Sequence, residues 1–364
     1  MHRSGRDGVV PADGAGGPAE HDPAYGRRVT LRDVAQAAGV SVTSVSRSLH
    51  GARNGARAPS ADTVARVHSA AAALGYTRDQ MASGLRTRQS RLLGVLVPRL
   101  SDLVLATIYD GVEEAAELAG YRTVVANTHD DPGEQRARAQ LMLDHRVDGL
   151  IIGDAHADGR FIDEMAGRGV PFVLVNRRVG SYLAATCDDL AGGRLVADHL
   201  WERGHTRVAL LAGEPHASTG RERTQGFLER WRAQGGSVPE GWVVNGPFHT
   251  RGGREGMERI LTQPAPPPSA VFVVNDLAAI GAMGALRDAG LHVGSDVAVV
   301  GFNDVPLAAE LPVPLSTVAS PMLEMGRAAA ELLLEVLAGG TPQSRLMHPE
   351  LKIRASSAFS QRTS

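Results

Sequence analysis

Val29-Thr-Leu-Arg-Asp-Val-Ala-Gln-Ala-Ala-Gly-Val-Ser-Val-Thr-Ser-Val-Ser-Arg-Ser-Leu49 is the stretch on which the reading of this 364-residue chain turns. Leu31, Val34, Ala35 and Ala38 recur at helical spacing, Gly39 stops the run, and Ser41 is placed to cap a second helix carrying Val42, Val45 and Leu49. Two short helices meeting at a tight turn form a helix-turn-helix, whose second helix enters the DNA major groove with its N-terminal side chains toward the base edges. Val42, Thr43 and Arg47 are the residue types such reading needs. Arg47 follows Thr43 by four positions and so shares its face, while Val45 and Leu49 turn inward. An arginine can hold guanine O6 and N7 with two bonds, and Thr43 offers a hydroxyl or a methyl. Ser41, Ser44 and Ser46 suit phosphate oxygens, contacts that orient without carrying sequence information. Ser60 is placed to cap a third helix with Val64, Val67, Ala71 and Leu74 on one face and Gly75 at its end. The plainer alternative is a helical hairpin inside an ordinary α domain.

Charge supports the DNA reading. Residues 27–91 hold eleven arginines against three acids, a net +8, whereas the whole chain is at −2. A compact basic head on a slightly acidic body is the layout of a protein whose first part meets a polyanion. Residues 1–26, rich in Gly, Ala, Pro and Asp, are expected to be a disordered tail, because such a composition cannot offset the entropy of ordering. The polar segment 77–91 links the head, 27–76, to a body of different texture.

From residue 92 onward apolar runs alternate with helical segments. Runs at 92–97, 123–126, 149–152, 172–175, 208–211, 270–274 and 297–300 are separated by helical patterns at 112–119, 134–145, 192–203, 224–234 and 278–289. Continuous Val/Leu/Ile runs between helices imply parallel sheets buried on both faces. The expected fold is therefore α/β: a helix-turn-helix head plus two doubly wound subdomains with a ligand crevice at the carboxyl ends of the strands. The body is expected at 92–356, with one subdomain about 92–187 and 320–348, the other about 188–319 and 349–356, and a short tail at 357–364.

Taken together, Thr30 through Arg47, Gly94-Val-Leu-Val-Pro98, Arg146-Val-Asp-Gly-Leu-Ile-Ile152, Gly204-His205, Asn275-Asp276, Val299-Val-Gly-Phe-Asn-Asp304 and Pro314-Leu-Ser-Thr-Val318 resemble the lactose-repressor (LacI-type) family of bacterial transcription regulators. The resemblance covers roughly residues 28–356. It implies a DNA-binding head, a hinge, and a body similar to periplasmic sugar-binding proteins in which a small effector shifts DNA affinity. It places Thr30, with the residues named above, at the DNA. Ala82 and Leu85 fall on the hinge helix, whose leucine wedges into the minor groove when two hinges pair in a dimer. The sequence departs from the family with Arg78-Asp79 before the hinge, with Gly84 inside it, and with a longer stretch at 51–59, so a plain linker is the alternative.

For the effector the resemblance points to Arg223, Asn275 and Asn303, with Phe248 on the aromatic slot, and Asp102, at the exit of the first body strand where the sequence departs from the family, is expected to face the ligand. An arginine and carboxamides bind sugar hydroxyls, and a ring face packs the apolar side of a sugar. Plainer roles exist: Asn275 and Asn303 as helix caps, Arg223 in a surface ion pair, Phe248 in the core. Asn303 stands where several relatives have aspartate, and Ser101-Asp-Leu-Val-Leu105 lacks their aromatic pair.

Other classes find little to stand on. Cys187 is the one cysteine, no Cys/His cluster has zinc-finger spacing, and no apolar run reaches the 18 or so residues of a membrane span. Lys352 is the only lysine, and no G-x-S-x-G, H-E-x-x-H or G-x-G-x-x-G occurs. Asp188-Asp189 and His205 read as turn and cap residues and not as an acid/base pair. The expectation is a cytoplasmic, nucleoid-associated homodimeric repressor acting on approximately palindromic operator DNA, without enzyme activity, cofactor, metal or membrane partner. A sugar-binding protein without regulatory DNA binding is the alternative. Arg223 and Asn275 lie outside head and hinge, so their alanine variants are expected to fold and bind operator while losing the effector response.

Overall fold

The computed structural model describes residues 29–50, 59–76 and 89–358. The chain forms two compact units, one up to Ser83 and one from Gly84.

In the first unit α1 (Leu31–Ala38) opens on a capping box. The Asp33 N–H donates to Thr30 Oγ1 at 3.3 Å, and the Thr30 N–H donates to the Asp33 carboxylate at 2.8 Å. Gly39, left-handed at φ 64°, ends it. The Ser44 N–H donates to Ser41 Oγ at 3.1 Å where α2 (Val42–His50) begins, and Ser60 receives the Thr63 N–H at 3.3 Å at the start of α3 (Ala61–Ala73). Val34, Ala35, Ala38, Val45, Val67 and Ala71 form the small core. Leu74, expected on its inner face, is exposed: it is the C-cap of α3, and Gly75 at φ 65° turns the chain away before another helical turn can bring it inward. The hinge residues Ala82 and Leu85 and the expected tail 1–26 lie outside the described residues.

The second unit runs β1 (Leu92–Val97), α4 (Leu103–Leu118), β2 (Arg122–Asn127), α5 (Pro132–Asp144), β3 (Gly149–Ile152), α6 (Arg160–Gly167), β4 (Phe172–Val175) and β5 (Ala184–Cys187). It continues through α7 (Asp189–Glu202), β6 (Val208–Ala212), α8 (Ser218–Ala233), β7 (Val243–Asn245), α9 (Thr250–Leu261), β8 (Ala270–Val273), α10 (Asp276–Asp288) and β9 (Ala298–Asn303). The last elements are β10 (Ser316–Ala319), α11 (Met322–Leu337), β11 (Arg345–Met347) and β12 (Glu350–Lys352). Two six-stranded sheets result, ordered β11-β5-β4-β3-β1-β2 and β12-β10-β9-β8-β6-β7. All pairings are parallel except β10 with β12. The chain passes between the sheets after Cys187, after Ala319 and after Met347. The mixed α/β class with parallel sheets is as expected.

Several elements escape a reading by apolar runs. The helix expected from 112 starts at Leu103, where Asp102 accepts the Val104 N–H at 3.0 Å as its cap. Its first turns, Leu103-Val-Leu-Ala-Thr-Ile108, carry no charged residue to reveal a helical period. Helix α9 contains Thr-Arg-Gly-Gly-Arg-Glu-Gly, a poor helix former by propensity. Its glycines serve packing: a Cβ on Gly253 would sit 1.9 Å from the Ala278 carbonyl oxygen of α10. Short strands such as β5 and β11 lack the Val/Ile content that marks β1 or β3. Residues past 356 still pack on the body, and the Ala358 carbonyl accepts from Arg203 Nη1. Ser357 is fully buried, and its hydroxyl bonds to His199 Nε2 at 2.8 Å.

Candidate DNA-reading face and effector crevice

On α2, Val45 is completely buried and Leu49 half-buried, which turns Val42, Thr43 and Arg47 outward, all exposed. Ser41 and Ser44 share a hydroxyl–hydroxyl bond of 2.9 Å, so one of their two O–H groups stays free, and Ser46 is half-buried. Thr30 has its Oγ1 engaged in the capping box.

A crevice of about 380 Å³ lies at the carboxyl ends of the strands of both sheets. Asp102, Arg223, Phe248, Asn275 and Asn303 all line it. Arg223 is not a surface residue. It is 3% exposed, its Nε donates to Asp189 Oδ1 at 2.7 Å, its Nη1 donates to the Val274 carbonyl at 2.8 Å, and its guanidinium lies 3.8 Å from the centre of the Phe302 ring. Burial pushes the Asp189 carboxyl up to about 6, and Arg223 works against that rise. Asn275 does cap α10, accepting the Ala278 N–H at 2.8 Å, and lines the crevice as well. Asn303 caps no helix: it sits at φ 110°, almost fully buried, with its Oδ1 unpaired. A buried amide oxygen without a partner is costly, and a ligand hydroxyl reaching it would remove that cost. Asp102 is held above the ordinary carboxylate range by burial. Phe248 is half-buried over Gly213, where a Cβ would approach its ring to 2.3 Å.

The sequence reading missed a cluster at one edge of the crevice. Asp130 follows β2, His156 follows β3, Arg177 follows β4, and His216 follows β6 of the other sheet. Arg177 pairs with both Asp130 oxygens at 2.6 and 2.8 Å, while His156 and His216 each place Nε2 3.1 Å from one of them. The two imidazoles stack with centroids 4.4 Å apart. Burial pushes the Asp130 carboxyl up, but the bonds from His156, Arg177 and His216 outweigh it and hold it well below its usual range. Four residues scattered over 87 positions offer no spacing by which sequence alone could join them. Asp188-Asp189 and His205 perform structural tasks: Asp188 caps α7, Asp189 holds Arg223, and His205 is buried with Nδ1 on Ser269 Oγ at 3.2 Å.

A basic helix-turn-helix unit joined in one chain to a two-sheet body with a polar crevice defines a DNA-binding transcriptional regulator of the ligand-responsive kind. Known proteins agree. The family of "Bacterial regulatory proteins, lacI family" matches residues 30–79, and the "Periplasmic binding protein-like domain" matches 197–357. The HTH-type transcriptional repressor PurR of Photobacterium profundum is 30% identical over 332 residues, covering 90% of this chain and 98% of its own. The ribose operon repressor of Escherichia coli K12 is 31% identical over 320 residues, 87% of this chain and 95% of its own. Among solved structures, the Lac repressor dimer bound to operator and the anti-inducer ONPF is similar at TM-score 0.80 and 28% identity, over 91% of this chain and 99% of that one. The transcriptional regulator CelR in complex with cellobiose gives TM-score 0.69 at 30% identity, over 90% and 100%. The chain belongs to the lacI family of bacterial regulatory proteins, whose members named here are regulators and not enzymes. No helix among the described residues is long and apolar enough to cross a membrane.

Proposed function

We propose that the protein is a homodimeric repressor of transcription that binds an approximately palindromic operator and is switched by a small polyhydroxylated effector, a sugar or sugar derivative, held in the crevice. Arg47, Thr43 and Val42 read bases; Thr30, Ser41, Ser44 and Ser46 orient the head on phosphates; Ala82 and Leu85 act as the minor-groove hinge. Arg223 Nη2, Asn275, Asn303 and Asp102 meet ligand hydroxyls, and Phe248 supplies the apolar face. Its place is the cytoplasm, at the nucleoid, without cofactor, metal or catalytic activity. The body is divided at the three chain passages, with 92–187 and 320–348 forming one subdomain.

The observation that carries this reading is the unpaired, almost fully buried Oδ1 of Asn303 in a crevice that Arg223, Asn275 and Asp102 also line and to which Phe248 gives the one phenyl ring, with no Tyr or Trp. That set favours a ligand rich in hydroxyl donors over a flat ring sandwiched between two aromatics. A melting-shift screen across a sugar library tests it, since a ligand at 100 times its Kd adds about 2.7 kcal/mol of stability. The reading fails if no polyol shifts the melt while planar heterocycles do.

A further inference from the structure

We propose that Asp130, His156 and His216 form a site for a divalent transition-metal ion of the zinc class, and that the ion, by joining loops of the two sheets, closes one edge of the crevice. The repressor proposed above needs no resident metal to meet operator or effector, and this ion is an added, reversible input. Its test involves neither DNA nor effector, so the two readings fail separately.

Two imidazoles and one carboxylate are a donor set that suits zinc, nickel or copper, whereas calcium and magnesium take oxygen alone. One ligand atom from each of the three residues lies within 4.8 Å of the other two. Donors bound to zinc at about 2.0–2.2 Å stand about 3.4 Å from one another. Both histidine Nε2 atoms are already 3.1 Å from an Asp130 oxygen. The rings stack with centroids 4.4 Å apart and planes 26° from parallel, so a tilt of the rings toward each other, without rebuilding of the loops, brings three donors to one ion. A neutral imidazole with its proton on Nδ1 turns the Nε2 lone pair on the ion, and no proton has to leave the site. His156, Asp130 and His216 have side chains 17%, 18% and 32% exposed, which lets the ion enter from crevice water and keep water on its remaining positions.

Arg177 decides what kind of site this is. Its bonds to Asp130, at 2.6 and 2.8 Å, use one lone pair of each oxygen, and a second pair of each is the one the imidazoles now meet. The guanidinium therefore fixes the carboxylate as outer partners do at metal sites, while its positive charge lowers the affinity for a dication. Glu214, two residues before His216, lines the crevice and adds a carboxylate on the same loop. The balance suits an ion that exchanges over one held permanently. The ion acts across the crevice because its ligands come from both sheets: Asp130 follows β2 and His156 follows β3, whereas His216 follows β6. The same seam holds the Ala157 N–H on the His216 carbonyl at 2.8 Å and the Arg178 N–H on Ser218 Oγ at 2.9 Å. An ion that needs all three ligands binds only while this seam is closed, and by mass action it favours closure.

Cobalt(II), whose four-coordinate complexes absorb in the visible, is titrated into the full-length protein after chelator treatment and dialysis, at a fixed and near-neutral pH. One cobalt per chain is expected at this site, displaced by micromolar zinc and not by millimolar magnesium. His156→Gln and His216→Gln each keep a hydrogen bond to Asp130 and so spare the fold. Each should weaken cobalt binding by more than the roughly tenfold that loss of even an outer partner costs, whereas His129→Gln, an exposed neighbour outside the site, should not. Hydrogen exchange at the same pH reads the closure: zinc should raise protection of the Ala157 amide in the wild type and not in His216→Gln. Absence of a cobalt spectrum, displacement by magnesium, or binding that survives either glutamine variant overturns the site. Zinc binding that adds no protection at Ala157 overturns the closure.

Discussion

Replacing Arg223 by alanine should destabilise the protein itself before it affects any effector. Arg223 and Asp189 are both 3% exposed and meet at 2.7 Å, so removing the guanidinium leaves a carboxylate buried without a counter-charge. Breaking a buried pair from one side costs about 3–5 kcal/mol, which for a domain of this size lowers Tm by roughly 6–20 °C. The loss should depend on pH, and the sign follows from Asp189. Its carboxyl, already at about 6, moves higher when Arg223 no longer opposes burial. A carboxyl raised in the folded state favours folding at low pH, and that benefit fades as pH rises from the ordinary carboxylate value through the folded one. At about pH 5 Asp189 is largely protonated in both proteins and the stability gap is small; at about pH 8 the gap is full. Asp189→Asn in the Arg223→Ala background removes the stranded charge, and should recover more than half of the loss and flatten the pH dependence. Thermal melts of the three proteins at both pH values decide it. An Arg223→Ala variant within about 1 kcal/mol of wild type at pH 8, or a gap that does not change with pH, refutes the argument. The expectation from sequence that alanine here merely uncouples effector from operator is thereby replaced, and the paired variant is the right background in which to measure effector binding.

Arg47→Ala should cost about 1–3 kcal/mol on operator and relax base preference at one half-site position; equal loss on random DNA at fixed salt would make it a phosphate contact. Leu85→Ala should weaken operator binding in fluorescence anisotropy and leave the melting temperature of the free protein unchanged, whereas a lowered melt would assign Leu85 to packing. Gly213→Ala sets a methyl 2.3 Å from the Phe248 ring, so it should destabilise by about 1–3 kcal/mol and abolish the sugar-induced melting shift; retention of both refutes the placement of that ring. Sedimentation at micromolar concentration should give a dimer, because an approximately palindromic operator needs two heads related by a two-fold axis, and a tetramer would contradict this.

Local rules were enough for the head. Ser41 and Ser60 cap and Gly39 breaks because each acts on neighbours within four residues, and the helical spacing of Val34, Ala38 and Val45 marks the faces that pack. The central strands were legible for the same reason: β1, β3 and β4 are buried on both faces and spell that as unbroken apolar runs. Tertiary structure decided what depends on distant partners. Helix α9 forms despite its glycines because they let α10 approach, β5 and β11 are strands because neighbours pair with them, and Leu74 points outward because the chain turns at Gly75. The site divides along the same line. Family spacing was able to bring Arg223, Asn275 and Asn303 to one crevice, but not to reveal that Arg223 is committed to Asp189. Nor does any sequence period join Asp130, His156, Arg177 and His216, since charge and burial act through space between loops that only the packing of two sheets brings together.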